Sequence, residues 1–439
     1  MDPPRRWGLE PFIHQVGGHS PLFCLDSRTV CKPYEEREHS FYSNLPSCLL
    51  PFTPRFLGSM QVSIVEDQRG YISLSGLPPN SYRSLHRLNN SGRPKVNNSY
   101  KGCPDLSTGV QMRLKRCGSI EIESLAGESS DQYFTDEKFS EERLYNPWAL
   151  KCHRDNLKKV GVNLQRDLDT VTSQQYILLE NLTSKYRHPC VLDLKLGTRQ
   201  HGDGVSASKK MSKVAKVANT TSGVLGLRLG GMQMYQVSLG RYICRNKHYG
   251  RLLSTEGFKT AVRQFFCNGL LVRTDVIRAL LARIAQLQTL LSDLDSFRFF
   301  TSSLLVIYDG SSNYHWSPVP RNSFSTSSLM LISGSRQEQQ QEEEEKEEEE
   351  GTEGSEVRMR LRHRSMSDNT SLHSNNSRVA GSNQDLVDVR LIDFAHSTHK
   401  GLNDSCVHDG PDQGLLFGLN SFVNLLLEIE RTAGKNRMP

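Results

Sequence analysis

The segment PCVLDLKLG at residues 189–197 places an acid and a lysine two residues apart inside an apolar run. Side chains of a strand alternate between its faces, so Asp193 and Lys195 would project together into a cleft. The other apolar side chains are expected to anchor the strand: Val191, Leu194 and Leu196. Such a pair suits a nucleotide site, where a carboxylate takes ribose hydroxyls or metal and a lysine neutralises phosphate. A buried structural ion pair is the open alternative.

The composition bounds the class of protein. Of the 439 residues, 36% are hydrophobic, so much of the chain is expected to lie outside a folded core. No run approaches the roughly 18 apolar residues of a membrane span, and the N-terminal MDPPRRWGLE lacks the apolar core of a secretory signal. The ten cysteines form no CxxC pair and no Cys–His pair at zinc spacing. These features predict a soluble, monomeric intracellular protein with reduced thiols.

Two segments are predicted to be disordered inserts. Residues 80–145 are rich in Ser, Asn, Gly and Arg, with apolar positions at no regular period. Residues 311–385 combine a Ser-rich stretch, the run QEEEEKEEEE and the basic RMRLRHR. Such segments bury too little apolar surface to offset the entropy of ordering. We expect the inserts to be open to protein partners and to basic-directed kinases at Ser365 and Ser367. The basic cluster could serve nuclear import, so we expect both cytoplasmic and nuclear locations.

Three ordered blocks remain, at residues 8–79, 146–310 and 386–434. They must come together to build one site. The net charge of +6 includes the glutamate run, so the ordered blocks carry a larger positive excess. A basic excess of this kind indicates anionic partners for the folded part of the chain.

The first block reads as β structure. It contains a turn at Gly17 and Gly18, then a short apolar run and a second strand that ends near Lys32. Glycines at a turn let backbone amides approach phosphate, and a lysine on the following strand can reach the same phosphates. An ordinary hairpin turn is the alternative.

The second block offers two further candidate elements. The strand YILLEN ends at a polar corner, where backbone groups of Glu180 and Leu182 could meet an adenine edge. On a helix, Lys209, Lys213 and Lys216 would share one face. Like charges on one face repel, and an anionic ligand would relieve the repulsion. For the strand end the alternative is a plain exit to a loop, and for the helix it is a solvated face.

The third block opens with the alternating segment VDVRLIDFAHS. This pattern predicts a strand that delivers Asp393 at its C-terminal end, close to His396. A carboxylate in that position is well placed to hold Mg²⁺ against nucleotide phosphates.

Together these segments resemble the inositol polyphosphate kinases. PCVLDLKLG fits the PxxxDxKxG signature of that family, and LLEN, SSLL at 302–305 and IDFAHS fit its other landmarks in the right order. The flanking segments LEPFIHQVGGHS, NPWALKCH, GTRQHGDG, YICRNKHYG and VHDGPDQG resemble the inositol hexakisphosphate kinase branch. The resemblance covers the three ordered blocks and fades in both inserts.

The resemblance implies a two-lobed, protein-kinase-like α+β fold with ATP in the cleft. Lys32 would contact the ATP phosphates, and Asp193 the ribose. The adenine hinge would be built from three consecutive residues: Glu180, Asn181 and Leu182. Asp393 would hold Mg²⁺ and act in catalysis together with Lys195. The residues implied in inositol phosphate binding are Pro189, Lys195, Gly197, Lys209, Lys210, Lys213, Lys216 and His396.

The implied reaction moves the γ-phosphoryl of ATP onto a phosphate of inositol hexakisphosphate, giving a diphosphoinositol pentakisphosphate. An acceptor phosphate is already an anion, so alignment and charge neutralisation suffice for this chemistry. Three alternatives stay open: phosphorylation of a free hydroxyl on a less phosphorylated inositol, a non-catalytic adaptor that acts through the charged inserts, and nucleic-acid binding. The basic stretches lack interleaved aromatic residues, which argues against the last.

Overall fold

The computed structural model describes residues 6–82, 110–115, 120–124, 146–164, 172–311, 386–402, 404 and 406–435. All of these residues belong to one compact unit, while the second unit, Asn313–Ala380, lies outside the described residues. The described unit contains two sheets, each with its own helices, which form an N-terminal and a C-terminal lobe. The predicted two-lobed α+β fold is therefore confirmed.

The N-terminal lobe is an antiparallel sheet of eight strands. These are β1 (Trp7–Pro11), β2 (Phe23–Asp26), β3 (Thr29–Pro33), β4 (Phe56–Glu66), β5 (Tyr71–Gly76), β6 (Val110–Lys115), β7 (Ile120–Ser124) and β8 (Thr172–Glu180). Their order is β1-β2-β3-β8-β4-β5-β6-β7, and an additional pairing of β1 with β5 closes the first six strands into a ring. Helix α1 (Glu36–Ser43) and a 3₁₀ helix (Ser47–Phe52) follow β3, and helix α2 (Pro147–Leu164) precedes β8.

Alternating side chains explain why these segments form a closed sheet. In β5, Ile72 and Leu74 are buried, whereas Ser73 and Ser75 point outward. The buried residues of the other strands join them in one core, which includes Leu9, Phe23, Met60, Val62, Tyr176 and Leu178. A period of two places alternate residues of a strand on the inner face, so closure of the ring buries the apolar residues at those positions together.

Strands β6 and β7 lie inside residues 80–145, for which the sequence predicts disorder. The two strands pair with each other, and β6 also pairs with β5, opposite Tyr71 and Ile72. Leu114 of β6 is buried in the N-terminal core. Pairing along the edge of β5 supplies hydrogen bonds and burial that the composition of the insert does not indicate. Apart from residues 80–82, the rest of this insert lies outside the described residues, as does the second insert beyond Ser311.

The C-terminal lobe is an antiparallel sheet in the order β11-β10-β9-β12-β13. Its strands are β9 (Pro189–Leu196), β10 (Leu227–Gln236), β11 (Arg241–Arg245), β12 (Ser303–Asp309) and β13 (Val387–Ile392). Its helices are α3 (Ala207–Ala218), α4 (Thr221–Leu225), α5 (Lys247–Arg251), α6 (Thr255–Phe265), α7 (Thr274–Ser292) and α8 (Gln413–Lys435), with a 3₁₀ turn at Lys400–Leu402.

Helix α7 shows how this lobe is held together. Its apolar residues recur at helical spacing, and five of the buried ones are Ile277, Leu280, Ile284, Leu287 and Leu291. They share one core with apolar side chains of β9, α6 and α8, such as Leu194, Phe258 and Leu419. Each fully buried side chain of this size contributes about 1.5–3 kcal/mol. None of the described helices combines the length and hydrophobicity that crossing a bilayer requires.

The two lobes meet through polar contacts as well as through the chain itself. The Nη1 atom of Arg37 on α1 lies 2.9 Å from Oδ1 of Asp404. From the other lobe, Arg390 donates to the carbonyl of Thr53 at 2.9 Å. These contacts join the two lobes, which the chain links between β8 and β9.

Candidate active site

A cleft of about 330 Å³ lies between the lobes. Its walls are the glycine turn, the end of β8, the central strand β9 and the residue that follows β13. Six of the predicted site residues line this cleft: Lys32, Glu180, Asn181, Leu182, Asp193 and Asp393. Residues from all three predicted blocks therefore reach one cavity.

The register of the C-terminal sheet explains why Lys195 meets Asp393. Lys195 lies opposite Ser303 of β12, and Ser303 lies opposite Ile392 of β13. Asp393 directly follows Ile392, so it stands two strands from Lys195 at nearly the same level. Cross-strand neighbours share a face, so Lys195, Ser303 and Ile392 point to the same side of the sheet, and the left-handed φ of 66° at Asp393 turns the chain directly after them. The Lys195 Nζ atom lies 2.6 Å from Oδ2 of Asp393.

The alternation of β9 refines one expectation. Val191 shares a face with Asp193 and lines the cleft, and it is buried in a small apolar cluster on that face rather than in the core behind the sheet. Leu194 and Leu196 lie in that core, the core of the C-terminal lobe, and Leu192 joins them there. The strand therefore turns one apolar and two charged side chains toward the ligand space.

Asp393 is held between two lysines. Lys32 Nζ is 2.9 Å from its Oδ1 atom, and Lys195 approaches its Oδ2 atom from the other lobe. Burial alone would raise the pKa of Asp393, but Lys195 and Lys32 outweigh burial and hold the pKa well below its usual range. Burial likewise opposes the charge of Lys195, yet Asp393 and Asp193 raise its pKa. Asp393 has φ of 66°, a left-handed conformation that few residues other than glycine adopt.

Glu38 completes this group of charged residues, and no sequence motif pointed to it. It is 1% exposed on α1, and its Oε1 atom lies 2.8 Å from Lys32 Nζ. The same oxygen accepts a hydrogen bond of 3.1 Å from the Phe394 amide. Glu38 thus fixes Lys32 and the backbone next to Asp393 at once. Glu35 and Glu36, close to it in the chain, are also acidic but are exposed. The sequence therefore does not distinguish the buried carboxylate from its neighbours.

The glycine turn packs directly on Asp193. A Cβ atom on Gly17 would lie 2.1 Å from Asp193 Oδ2, and one on Gly230 would lie 2.7 Å from Oδ1. A methyl group at either position would force the backbone or the carboxylate to move, so the turn is a wall of the cleft as well as a hairpin. Burial raises the pKa of Asp193, while Lys195 opposes the rise.

The end of β8 has the form of a hinge. The amide of Glu180 donates to Arg55, and that of Asn181 donates to Arg28. Asn181 shapes the turn with its side chain, because its Oδ1 atom accepts the Thr183 amide at 3.0 Å. Among the described residues, no acceptor faces the Leu182 amide. Apolar side chains flank this edge of the cleft and suit a flat aromatic base: Val30, Leu182, Val191, Leu305 and Ile307.

The predicted lysine helix is α3, and none of its side chains is buried. Lys209, Lys210 and Lys213 are exposed, Lys216 is half-buried, and Met211 is 73% exposed. The pKa of Lys213 is lowered by partial burial and then by other cations: Arg228, Arg251, Lys209 and Lys195. The helix therefore faces arginines of β10 and α5. Neither arginine stands out in the sequence, because each lies in an apolar or mixed segment with no basic run.

The remaining predicted residues differ in position. His396 is exposed and lies against Gly202, with its pKa lowered chiefly by partial burial. Gly197 has φ of 87° and ends β9 in a turn. Pro189 begins β9, so about 20 Å of strand separates it from Lys195, and its carbonyl accepts the Gln233 side chain at 2.8 Å. The structure does not bring Pro189 to the lysines, because residues at opposite ends of a strand cannot meet.

Comparison with known proteins agrees with this geometry. The family profile of the inositol polyphosphate kinases matches residues 176–427. Inositol hexakisphosphate kinase 1 of Homo sapiens is 36% identical over 450 residues, which cover 95% of this chain and 92% of that protein. Inositol hexakisphosphate kinase 2 of Oryctolagus cuniculus is 34% identical over 458 residues, with 97% and 96% covered.

Among solved structures, inositol phosphate multikinase Ipk2 from S. cerevisiae, in complex with ADP and Mn²⁺, is 22% identical with a TM-score of 0.38. That similarity covers 58% of this chain and 84% of that chain. The family profile spans more than half of this chain, and the curated relatives extend over nearly all of it. The resemblance carried by PCVLDLKLG and IDFAHS is thereby confirmed, and the chain belongs to the inositol polyphosphate kinase family.

Proposed function

We propose that this protein transfers the γ-phosphoryl of ATP to a phosphate of inositol hexakisphosphate and so makes a diphosphoinositol pentakisphosphate. The observation that carries the proposal is the position of Lys195. It pairs with Asp393 in the cleft and acts electrostatically on Lys213 of α3. One lysine thus stands between a nucleotide cleft and a cationic surface. Similarity to the inositol hexakisphosphate kinases supports the same acceptor.

We assign the nucleotide to the apolar edge of the cleft. The Glu180 carbonyl and the Leu182 amide would meet the adenine edge, with Asn181 holding the hinge turn that presents them. Asp193 would take the ribose, and Lys32 the phosphates. The Lys32–Glu38 ion pair keeps the Lys32 ammonium at the cleft, so the ammonium is oriented before ATP arrives.

The carboxylates of the cleft suit a divalent cation. Mg²⁺ prefers oxygen ligands, usually one or two carboxylates together with phosphates. Asp393 is ionised and reaches the cleft, and Oδ1 of the nearby Asp193 has no hydrogen-bond partner among the described residues. We assign Mg²⁺ to Asp393, where the ion would neutralise charge on the ATP phosphates.

The acceptor is assigned to the cationic surface beyond Lys195. Candidate contacts are Lys209, Lys210, Lys213, Lys216, Arg228 and His396. An oxygen of an acceptor phosphate forms a bond to the γ-phosphorus while the bond from that phosphorus to the bridging oxygen breaks, and ADP leaves with the electron pair. The attacking oxygen carries no proton, so no general base is needed. Lys195 stabilises the charge on the phosphoryl group as it passes between the two sites.

The test is direct. Purified protein is incubated with Mg²⁺-ATP and either inositol hexakisphosphate or less phosphorylated inositols, beside three variants: Lys195→Ala, Asp393→Asn and, as a surface control, Lys259→Ala. Products are resolved by charge on a polyacrylamide gel. We expect a more phosphorylated species from the wild type and the control, and at least a hundredfold less from the other two. Product only from less phosphorylated inositols would indicate a hydroxyl kinase, and no product from any acceptor would indicate an adaptor.

A further inference from the structure

Three side chains of different chemistry meet beside the loop that leads from β9 to α3. They are Asp203 of that loop and Cys406 and His408 of the segment that precedes α8. A carboxylate oxygen, the sulfur and a ring nitrogen all lie within 4.8 Å of one another. Asp203 lies 205 residues before His408. Only the fold therefore assembles this group, and no spacing in the sequence predicts it.

These donors match the preferences of Zn²⁺. The ion takes thiolate sulfur at about 2.3 Å and imidazole nitrogen or carboxylate oxygen at about 2.0–2.2 Å, usually as a tetrahedron. The nitrogen and the oxygen of such a tetrahedron are about 3.3 Å apart. His408 Nε2 lies 2.8 Å from Asp203 Oδ2, so a separation by about half an ångström would admit the ion. Mg²⁺ prefers ligands that are all oxygen, so it suits this group poorly.

Two neighbouring side chains orient the carboxylate and the imidazole. Arg199 pairs with Oδ1 of Asp203 and leaves Oδ2 to face His408. The Arg199 guanidinium lies 3.9 Å from the centre of the Phe300 ring. The His408 ring packs edge-on against the same ring, with 5.6 Å between their centres. Partners of this kind fix the orientation of metal ligands, so both ligands are held in place by the protein itself.

Charge and access also suit a divalent ion. The Asp203 carboxylate and the Cys406 thiolate balance two positive charges, because the imidazole binds in its neutral form and the thiol proton leaves as the ion binds. The side chains of Asp203 and His408 are 21% and 16% exposed, and Cys406 is exposed. His408 also lines a cavity of about 340 Å³ with Arg298 and Phe300. An ion can therefore enter from solution, and the cavity has room for a water ligand.

We propose that Asp203, Cys406 and His408 bind one Zn²⁺ ion, with water as the fourth ligand. The ion ties the loop from which α3 begins to the segment before α8. Asp412 anchors that segment, because its two carboxylate oxygens accept the Leu415 and Phe299 amides, each at 2.9 Å. None of the three ligands lines the nucleotide cleft. The proposal therefore stands apart from the phosphoryl transfer proposed above.

The experiment measures metal binding by the full-length protein without ATP or acceptor. Protein is stripped with a chelator under reducing conditions and titrated with Zn²⁺ against a chromophoric chelator, then separately with Co²⁺ and with Mg²⁺. The ligand variants are Cys406→Ala, His408→Leu and Asp203→Asn. The controls are Cys48→Ala, another exposed cysteine, and Asp409→Asn, an exposed carboxylate next to His408. Thermal melting checks folding, and the exposed Cys406 decides the question if another variant unfolds.

We expect the wild type to bind one more Zn²⁺ ion than Cys406→Ala, because ions held elsewhere on the chain are common to both. The Kd of this ion should rise at least tenfold in each ligand variant and stay within threefold in the controls. Co²⁺ should give a thiolate-to-cobalt charge-transfer band that Cys406→Ala lacks, and Mg²⁺ should not displace Zn²⁺. Equal Zn²⁺ binding by wild type and Cys406→Ala, or a Co²⁺ spectrum without that band, would overturn the proposal.

Discussion

Glu38 shows how one carboxylate oxygen can organise a site built by two lobes. It receives the Lys32 ammonium from its own lobe and the Phe394 amide from the other. A charge-assisted hydrogen bond is stronger than a neutral one and is short in range. Small displacements of α1 would therefore weaken both contacts together, and Asp393, the neighbour of Phe394, would lose its position as well.

Replacing Glu38 by Gln keeps the shape of the side chain and removes its charge. The loss of one charge-assisted contact, about 1.5–3 kcal/mol, corresponds to a fall in kcat of about 10–100-fold. Steady-state kinetics would measure this, with Glu36→Gln as the matched control on the same helix, where the side chain is exposed. An equal effect of both substitutions would show that the charge of α1 acts only at long range.

A second prediction concerns the close approach of the glycine turn to Asp193. In Gly17→Ala the new methyl group would stand 2.1 Å from Asp193 Oδ2, so the turn or the carboxylate must move. We expect the KM for ATP to rise about tenfold or more. Gly8→Ala is the control, because a Cβ there meets nothing within 4 Å. Wild-type ATP affinity in Gly17→Ala would mean that the turn plays no part in nucleotide binding.

Site residues that lie in contiguous motifs could be identified from the sequence. Those that reach the site only through the folding of distant segments could not. Asp193, Lys195 and Asp393 stand out because each is a charge in or beside an apolar strand. Glu38 lies on a short polar helix among other acids, and its partner Phe394 is 356 residues away. Pro189 belongs to the same signature motif as Lys195. Only the register of β9 shows that the two residues lie at opposite ends of the strand.

At the scale of elements, the helical spacing of the apolar residues in α7 accounts for the face that it buries, because burial follows the period of the pattern. The spacing of apolar residues did not predict the hairpin β6–β7, because the hairpin depends on hydrogen bonding to the edge of β5. The orientation of α3 was likewise undecided by its sequence. A lysine face is solvated or ligand-binding according to what stands opposite, and here Arg228 and Arg251 stand near Lys213.

Helix α2 carries a buried base that makes the N-terminal lobe sensitive to acid. Burial lowers the pKa of His153 to about 3, against about 6.5 in an unfolded chain. Below pH 6.5 the imidazole binds a proton in the unfolded state but not in the folded state, so the free energy of unfolding falls as the pH decreases toward 3. At pH 5 the free energy of unfolding is lowered by about 2 kcal/mol.

The variant His153→Leu removes this dependence. We expect it to lose about 2 kcal/mol less than wild type when urea unfolding is compared at pH 7 and pH 5. Its stability at pH 7 serves as the internal reference for any change in packing against Phe23, whose ring centre lies 4.8 Å from that of His153. Parallel losses in the two proteins would contradict the buried, neutral state of the imidazole.

At the scale of the whole molecule, the site exists only while both lobes are joined. Lys32 and Glu38 come from one lobe, and Lys195 and Asp393 from the other. Arg37 and Arg390 add further contacts across the boundary. Each such contact is modest alone, but opening the lobes breaks all of them and exposes the charges of the cleft together.

We therefore expect the lobes to unfold in one transition. Hydrogen exchange followed by mass spectrometry in increasing urea should show peptides of β8 and β9 losing protection at the same urea concentration. The double variant Glu38→Gln with Arg37→Gln should separate the two midpoints, with the N-terminal peptides opening first. Distinct midpoints in the wild type would mean that the lobes are independent foldons.

The absence of buried side chains from α3 has a consequence for how the acceptor is captured. An isolated helix of this length, 12 residues, is marginal in water, and its lysines repel. To the extent that this exposed helix frays before the polyanion arrives, its ordering is coupled to binding and consumes part of the binding free energy. Affinity for the acceptor would accordingly respond to helix propensity at Ser208 or Ser212, residues that need touch no phosphate at all.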